Sequence, residues 1–201
     1  MKLLVIGAGG RVGREVVAEA LRRGHYVRAI VRRETAFDRH PQLTVEKMST
    51  GNHKELARRV SDADAVISVV STWKSKKAHL VSKVAQDVLA CHPKQFIGLT
   101  GVDALVPGEQ FRGLRKVSCR FAQLIAKDVL WDGDELLRLC APHENAVVLR
   151  SPAMRGGAKR RYRLLKSVKN IFRLVTRKMV ACALLDSAEK PNQSPKFPFI
   201  V

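Results

Sequence analysis

The sequence predicts a doubly wound α/β fold, a parallel sheet with helices on both faces. Three observations predict it. Short apolar runs alternate with longer segments of helical periodicity along the 201-residue chain. The runs are rich in Val, Ile, Leu and Ala, and the chain is only 5% aromatic, the usual filling of a sheet covered on both sides. A glycine cluster, Gly7-Ala8-Gly9-Gly10-Arg11-Val12-Gly13, falls where the first run gives way to the first periodic segment.

The elements follow in order. Lys2–Ile6 is a buried strand, and Arg11–Arg23 a helix with Val12, Val16, Val17, Ala20 and Leu21 on one face. Gly24 stops that helix, and His25–Arg32 is the second strand. Leu43–Val45 is a short third strand, and Asn52–Val60 a helix with Leu56, Ala57 and Val60 inward. Ala65–Val70, continuous and partly β-branched, is a fourth strand buried on both faces. Ala78–Ala90 is a helix, Phe96–Thr100 the fifth strand, and Phe121–Leu139 a largely helical stretch that Gly133 threatens to interrupt. Ala146–Leu149 is the sixth strand. Thr176 is placed to cap a helix over Arg177–Leu185, and Lys196–Val201 closes the list as a short strand. Val106–Lys116 and Ser151–Gly157 read as loops, and loops after strand C-termini are where open α/β sheets bind ligands. The length suits a single domain over residues 1–201.

Composition narrows the function classes. No run reaches the roughly 18 uncharged apolar residues of a membrane span, and the N-terminal apolar run is too short for a signal-peptide core. The four cysteines, Cys91, Cys119, Cys140 and Cys182, lie far apart without a C-x-x-C pair, as expected for reduced thiols in a cytoplasmic protein. No histidine has a metal-ligand partner at i+3 or i+4, so no metal is expected. The charge is unusual: 37 Lys and Arg stand against 18 Asp and Glu, a formal +19. Such an excess attracts polyanions without saying which.

The glycine turn sits directly after a strand and opens a helix. Glycine allows the tight turn and the close approach of backbone to a pyrophosphate, and the free amides near Arg11 and Val12 then bind the phosphates. The second strand ends Val31-Arg32-Arg33-Glu34. An acid there would bond a ribose 2′-hydroxyl, whereas arginine accommodates a 2′-phosphate. Arg32 and Arg33 therefore favour NADP(H) over NAD(H), with Glu34 the one dissenting charge.

These residues, with Asp62-Ala63-Asp64-Ala65-Val66-Ile67, Val148-Leu149-Arg150-Ser151-Pro152 and Leu174-Val175-Thr176-Arg177-Lys178-Met179-Val180-Ala181, fall in an order that resembles the atypical short-chain dehydrogenases. The branch they are most similar to is the NAD(P)H-binding, NmrA-like proteins of biliverdin/flavin reductase type. The resemblance implies that Gly7, Gly9, Gly10, Arg11, Val12 and Gly13 hold the pyrophosphate and Arg32 the 2′-phosphate. It implies that Val70, Ser71, Leu99 and Thr100 line the groove from adenosine to nicotinamide, with Pro152 and Met154 beside the nicotinamide. The sequence departs from the family at Glu46-Lys47-Met48, at Leu99-Thr100-Gly101 and at Arg150-Ser151-Pro152.

The chemistry is less legible. Short-chain dehydrogenases use a Tyr-x-x-x-Lys pair, in which lysine lowers the tyrosine pKa. Tyr162 and Lys166 match the spacing but follow the sixth strand, whereas the pair belongs on the helix before it. Lys127 lies on that helix, but Gln123 stands four residues earlier. A flavin or quinone can take a hydride with only binding and orientation from the protein. The expected function is therefore NADPH-dependent reduction of a conjugated small-molecule acceptor. The alternative is a non-catalytic NADP(H)-binding sensor acting through a protein partner. Apolar Val102, Leu105, Val106, Phe111, Ala153 and Met154 would stack a flat ring, and Arg112 and Arg155 would meet an anionic tail.

One tract stands apart. Arg155–Lys178 holds ten Lys or Arg and no acid. Leu164, Leu165, Val168, Ile171, Phe172 and Val175 recur at helical spacing and predict an amphipathic helix with a solvated basic face. Contact with nucleic acid, an acidic partner or anionic lipid is the less favoured reading, and no nucleic-acid-binding signature accompanies the charge.

Overall fold

A computed structural model describes residues 1–48, 53–71, 79–106, 108–109, 127–168, 173–190 and 195–201. Its elements run β1 (Lys2–Ile6), α1 (Arg11–Arg22), β2 (Tyr26–Val31), β3 (Leu43–Lys47), α2 (His53–Ser61), β4 (Ala65–Ser68), α3 (Leu80–Leu89), β5 (Phe96–Gly101), α4 (Lys127–Cys140), β6 (Ala146–Ser151), β7 (Met154–Arg155), β8 (Leu164–Leu165), β9 (Val175–Thr176), α5 (Arg177–Glu189) and β10 (Phe199–Ile200). The main sheet has the order β3-β2-β1-β4-β5-β6-β10-β8. All its pairs are parallel except β10 with β8. The chain thus winds outward from β1 to β3 and then back across to β4, β5 and β6. The switch point lies between β1 and β4, at the C-terminal end of β1, where ligands gather in such sheets.

Two cores hold the sheet. On one face Leu3, Val5, Ile67, Ile97 and Leu149 meet Val16, Val17 and Ala20 of α1 and Val180, Ala183 and Leu184 of α5. On the other, Leu4, Ile6, Val66, Phe96 and Val148 meet Val84 and Val88 of α3 and Leu136 and Leu137 of α4. Alternate strand residues therefore bury in opposite directions, which is why the strands read as unbroken apolar runs.

Two expectations need correction. The helix over Gly133 is continuous within the described residues, Lys127–Cys140, with 121–126 lying outside them. Glycine is there for space: a Cβ on Gly133 would stand 2.6 Å from the Thr100 hydroxyl and 3.1 Å from Ala104. The basic tract is not the predicted amphipathic helix where it is described. Gly156 and Gly157 follow β7, Leu164–Leu165 pairs antiparallel with β10, and Val175–Thr176 pairs with β7, so the described part before α5 is an arm of short strand pairs and irregular chain. Pairing with the sheet edge overrides a helical stripe that local spacing alone suggests. Ile171 and Phe172 of that stripe lie outside the described residues.

Candidate functional site

The site begins with what the glycines permit. Gly7 turns the chain out of β1 at φ +86°, and a Cβ there would stand 3.1 Å from the Val69 carbonyl carbon and oxygen. A Cβ on Gly13 would lie 2.3 Å from the Gly7 carbonyl oxygen and 2.7 Å from Ala8 Cα, so α1 presses directly on the turn. Gly9 faces the Thr35 hydroxyl, 2.8 Å from where its Cβ would be. Gly10 differs: its ideal Cβ meets only the Gly7 oxygen, at 3.3 Å, and otherwise open space. Gly7 and Gly13 shape the turn, and Gly10 leaves its surface clear.

Gly10 is the N-cap of α1 and offers no side chain to cap it, nor does the first turn hold an acid. The first amides of a helix have no intrahelical acceptor and sit at the positive end of its dipole. The amides of Arg11, Val12 and Gly13 are thus presented to an anion. Two other helix starts are closed. Asp132, almost fully buried, accepts from Val81 N at 2.9 Å and Ser82 N at 2.7 Å at the start of α3. Thr176 accepts from Met179 N at 3.1 Å at the start of α5, the cap the sequence predicts.

A cleft of about 410 Å³ opens at the turn. It brings together Gly7, Gly9, Gly10, Arg32, Arg33, Val70 and Ser71 from the sequence reading, and adds Thr35, Met48 and Leu80, which that reading missed. Thr35 donates to the Arg33 carbonyl at 2.9 Å, a local turn for which a threonine two residues past the arginine was the available signal. Arg32 and Arg33 are exposed at the rim. Arg14 donates to the Ala36 carbonyl at 3.0 Å and lies over the Phe37 ring at 5.1 Å, which ties the loop after β2 to α1. Nothing in the local sequence marks that clasp.

Leu99, Thr100, Pro152 and Met154 lie outside this cleft. The Leu99 side chain is buried in the core with α1 and α5. Thr100 pairs in register with Arg150 and faces Gly133. Arg150 is itself buried, donating to Glu109 at 2.5 Å and to the Phe197 carbonyl at 2.9 and 3.1 Å over the Phe199 ring. Pro152 is buried, whereas Met154 is exposed on β7. Near the same loop Asp134 accepts from Leu105 N at 2.7 Å. Burial pushes the Asp134 carboxyl above its ordinary range, and the charge of Glu109 adds to the rise. Phe111 and Arg112 lie outside the described residues.

Tyr162 and Lys166 share no helix face, since the arm that carries them is not helical there. The Tyr162 hydroxyl donates to the Asp186 carboxylate. Burial, with Asp186 beside it, drives the phenol far above its usual pKa, the reverse of what a proton-transfer tyrosine needs. Among the described residues no cluster of His, Cys, Asp and Glu is arranged to hold a metal, and no helix is long and apolar enough to cross a membrane.

Comparison with known proteins agrees with this geometry. A family model described as NAD(P)H-binding matches residues 7–191. Solved structures align over the whole chain at low identity. A short-chain dehydrogenase/reductase from Veillonella parvula DSM 2008, in complex with NADP, aligns at TM-score 0.76 and 16% identity over 99% of this chain and 93% of its own. ChuY, an anaerobillin reductase from Escherichia coli O157:H7, aligns at 0.75 and 16% over 100% and 97%. SP1627, a candidate NADH-flavin reductase from Streptococcus pneumoniae TIGR4, aligns at 0.76 and 22% over 100% and 99%. No curated protein matches the sequence.

Proposed function

The chain belongs to the NAD(P)H-binding family, and from that premise we propose that it is an NADPH-dependent reductase of a flavin, quinone or similarly conjugated acceptor. The observation that carries the reading is the open start of α1, facing a cleft with Arg32 and Arg33 at its rim. The amides of Arg11, Val12 and Gly13 receive the pyrophosphate over the clear surface of Gly10. Arg32, with Arg33, takes the 2′-phosphate through charge-assisted bonds. Val70 and Ser71 line the groove, and the ends of β5 and β6, with Thr100, Pro152 and Met154, border the nicotinamide half. Leu99 contributes there through its backbone, its side chain being committed to the core.

The reduced dinucleotide supplies a hydride when bound. The chain's part is to bind and orient it. Among the described residues no tyrosine–lysine pair is poised for proton transfer, which fits an acceptor that takes the hydride on a conjugated ring and its proton from water. Two structural neighbours carry reductase names of that kind, one for anaerobillin and one for flavin, which supports the class of acceptor.

The test is NADPH consumption against a panel of flavins, quinones, simple ketones and alcohols. Turnover is expected with flavins or quinones and not with the simple compounds. Tight NADPH binding without turnover on any acceptor would replace this reading with the sensor. NADPH should bind more tightly than NADH, and Arg32→Ala should remove about 1.5–3 kcal/mol of that preference. Equal affinity for both cofactors in the unsubstituted protein would remove Arg32 from its role.

A further inference from the structure

A second cleft is larger than the one at the glycine turn. It has a volume of about 1030 Å³ and lies over the far end of α1, against α5 and the basic arm. A helix of 12 residues, about 18 Å long, separates its floor at Arg22 and Arg23 from Gly10. Its charged lining is eight cations, Arg22, Arg23, Lys159, Arg160, Arg161, Arg163, Arg173 and Lys190, against Glu19 and Asp186.

The arm that forms one wall alternates. Arg160 turns inward to Glu19 at 3.5 Å, Tyr162 to Asp186, and Leu164 to the core. Lys159, Arg161 and Arg163 stand between them, exposed, and line the cleft. The two acids are consumed at the floor: Glu19 holds Arg22 at 2.6 Å and Arg23 at 3.0 Å, and Asp186 holds Arg23 at 2.6 Å. Every Asp and Glu of the chain lies within the described residues, and none pairs with Arg161, Arg163, Arg173 or Lys190. A row of free cations in a concave cleft is therefore built into the fold rather than scattered over its surface.

We propose that this cleft binds duplex nucleic acid through its phosphodiester backbone, independently of the dinucleotide site. Lys159, Arg161 and Arg163 recur every second residue, a repeat of roughly 7 Å where the chain is extended. That is the order of the distance between successive phosphates along a strand. The lining is mostly arginine, whose fork matches phosphate oxygens. Among the described residues the one aromatic ring in the wall, Tyr162, is turned inward and tied to Asp186. The described lining therefore offers no stacking platform for bare bases, which suits a duplex read by charge rather than by sequence.

The experiment is fluorescence anisotropy of the full chain with a labelled 30-base-pair duplex of arbitrary sequence, at a series of salt concentrations. Micromolar binding is expected, with a slope of log affinity against log salt of about −4 to −5, five cations each displacing counterions. Arg161→Gln/Arg163→Gln/Arg173→Gln should weaken binding about 30-fold or more at low salt and flatten the slope by about three. The same three-charge loss at Lys54, Arg58 and Lys127 should do far less. NADPH affinity of the arm variant, expected unchanged, reports that it is folded. If it is not, the single variants Arg161→Gln and Arg173→Gln should each flatten the slope by about one. Absence of duplex binding at low salt, equal loss in the control variant, or preference for anionic vesicles or an acidic polypeptide over the duplex would overturn the proposal.

Discussion

The two ends of α1 face two different clefts, and they are built for anions in opposite ways. At the N-terminal end the helix presents bare amides over a glycine, with apolar walls and arginine only at the rim. At the C-terminal end, where the dipole is negative, it carries Arg22 and Arg23, clasped by Glu19 and continued outward by the free cations of the arm. The first end fixes an anion by backbone geometry, which only a few atoms can satisfy. The second holds charge on long side chains, which tolerates many shapes and weakens with salt. Net charge alone therefore does not locate a cofactor site: the other cleft is lined by eight cations against two acids.

The largest expected effect falls on the amide end. Gly10 has an extended backbone, φ −73° and ψ 167°, that any residue adopts, and little surrounds its Cβ position. Gly10→Val should therefore fold, with a melting temperature within a few degrees of the parent. It should also lose NADPH and NADH together by about a hundredfold or more, roughly 2.7 kcal/mol, because the branched side chain covers the amides. Retained binding in a fluorescence titration would mean that the phosphates do not sit there.

The closed helix starts give the contrast its control. Asp132→Ala strips two α3 amides of their buried acceptor and should cost about 2 kcal/mol in urea denaturation. Cofactor binding should weaken with it, since α3 brings Leu80 and Val84 to the cleft. An unchanged urea midpoint would show that water replaces the carboxylate.

At the other end of α1, hydrogen bonds from Arg22 hold the Glu19 carboxyl at about 2, although burial opposes them and Arg23 assists. A folded-state pKa below the unfolded value stabilises the native state above the unfolded pKa, and that stability is lost on acidification. The loss should begin near pH 4.5 and be complete near 2. Glu19→Gln should flatten this part of the urea-midpoint profile against pH, and an unaltered profile would assign the acid sensitivity elsewhere. The smallest effect is at the cap of α5: Thr176→Ala should destabilise by about 1 kcal/mol, read as a shift in urea midpoint without change in slope.

The sequence by itself determined the winding of the sheet and the place of its open helix start. Both follow from local rules. Residues buried on two faces must be apolar without interruption, as in Ala65–Ser68, and a chain leaving a strand for a helix within Gly7–Gly13 has no other way to turn. It also determined the Thr176 cap, because a cap bonds to its own next turn. What only the tertiary structure decided is whatever joins distant segments. Asp132 closes α3 across 50 residues, and Gly133 is glycine because Thr100 lies against it. Tyr162 is spoken for by Asp186, 24 residues on, whatever its spacing to Lys166. The basic arm is not helical there because β10 offers Leu164 and Leu165 a sheet edge, which outweighs the weak helical preference of the isolated segment.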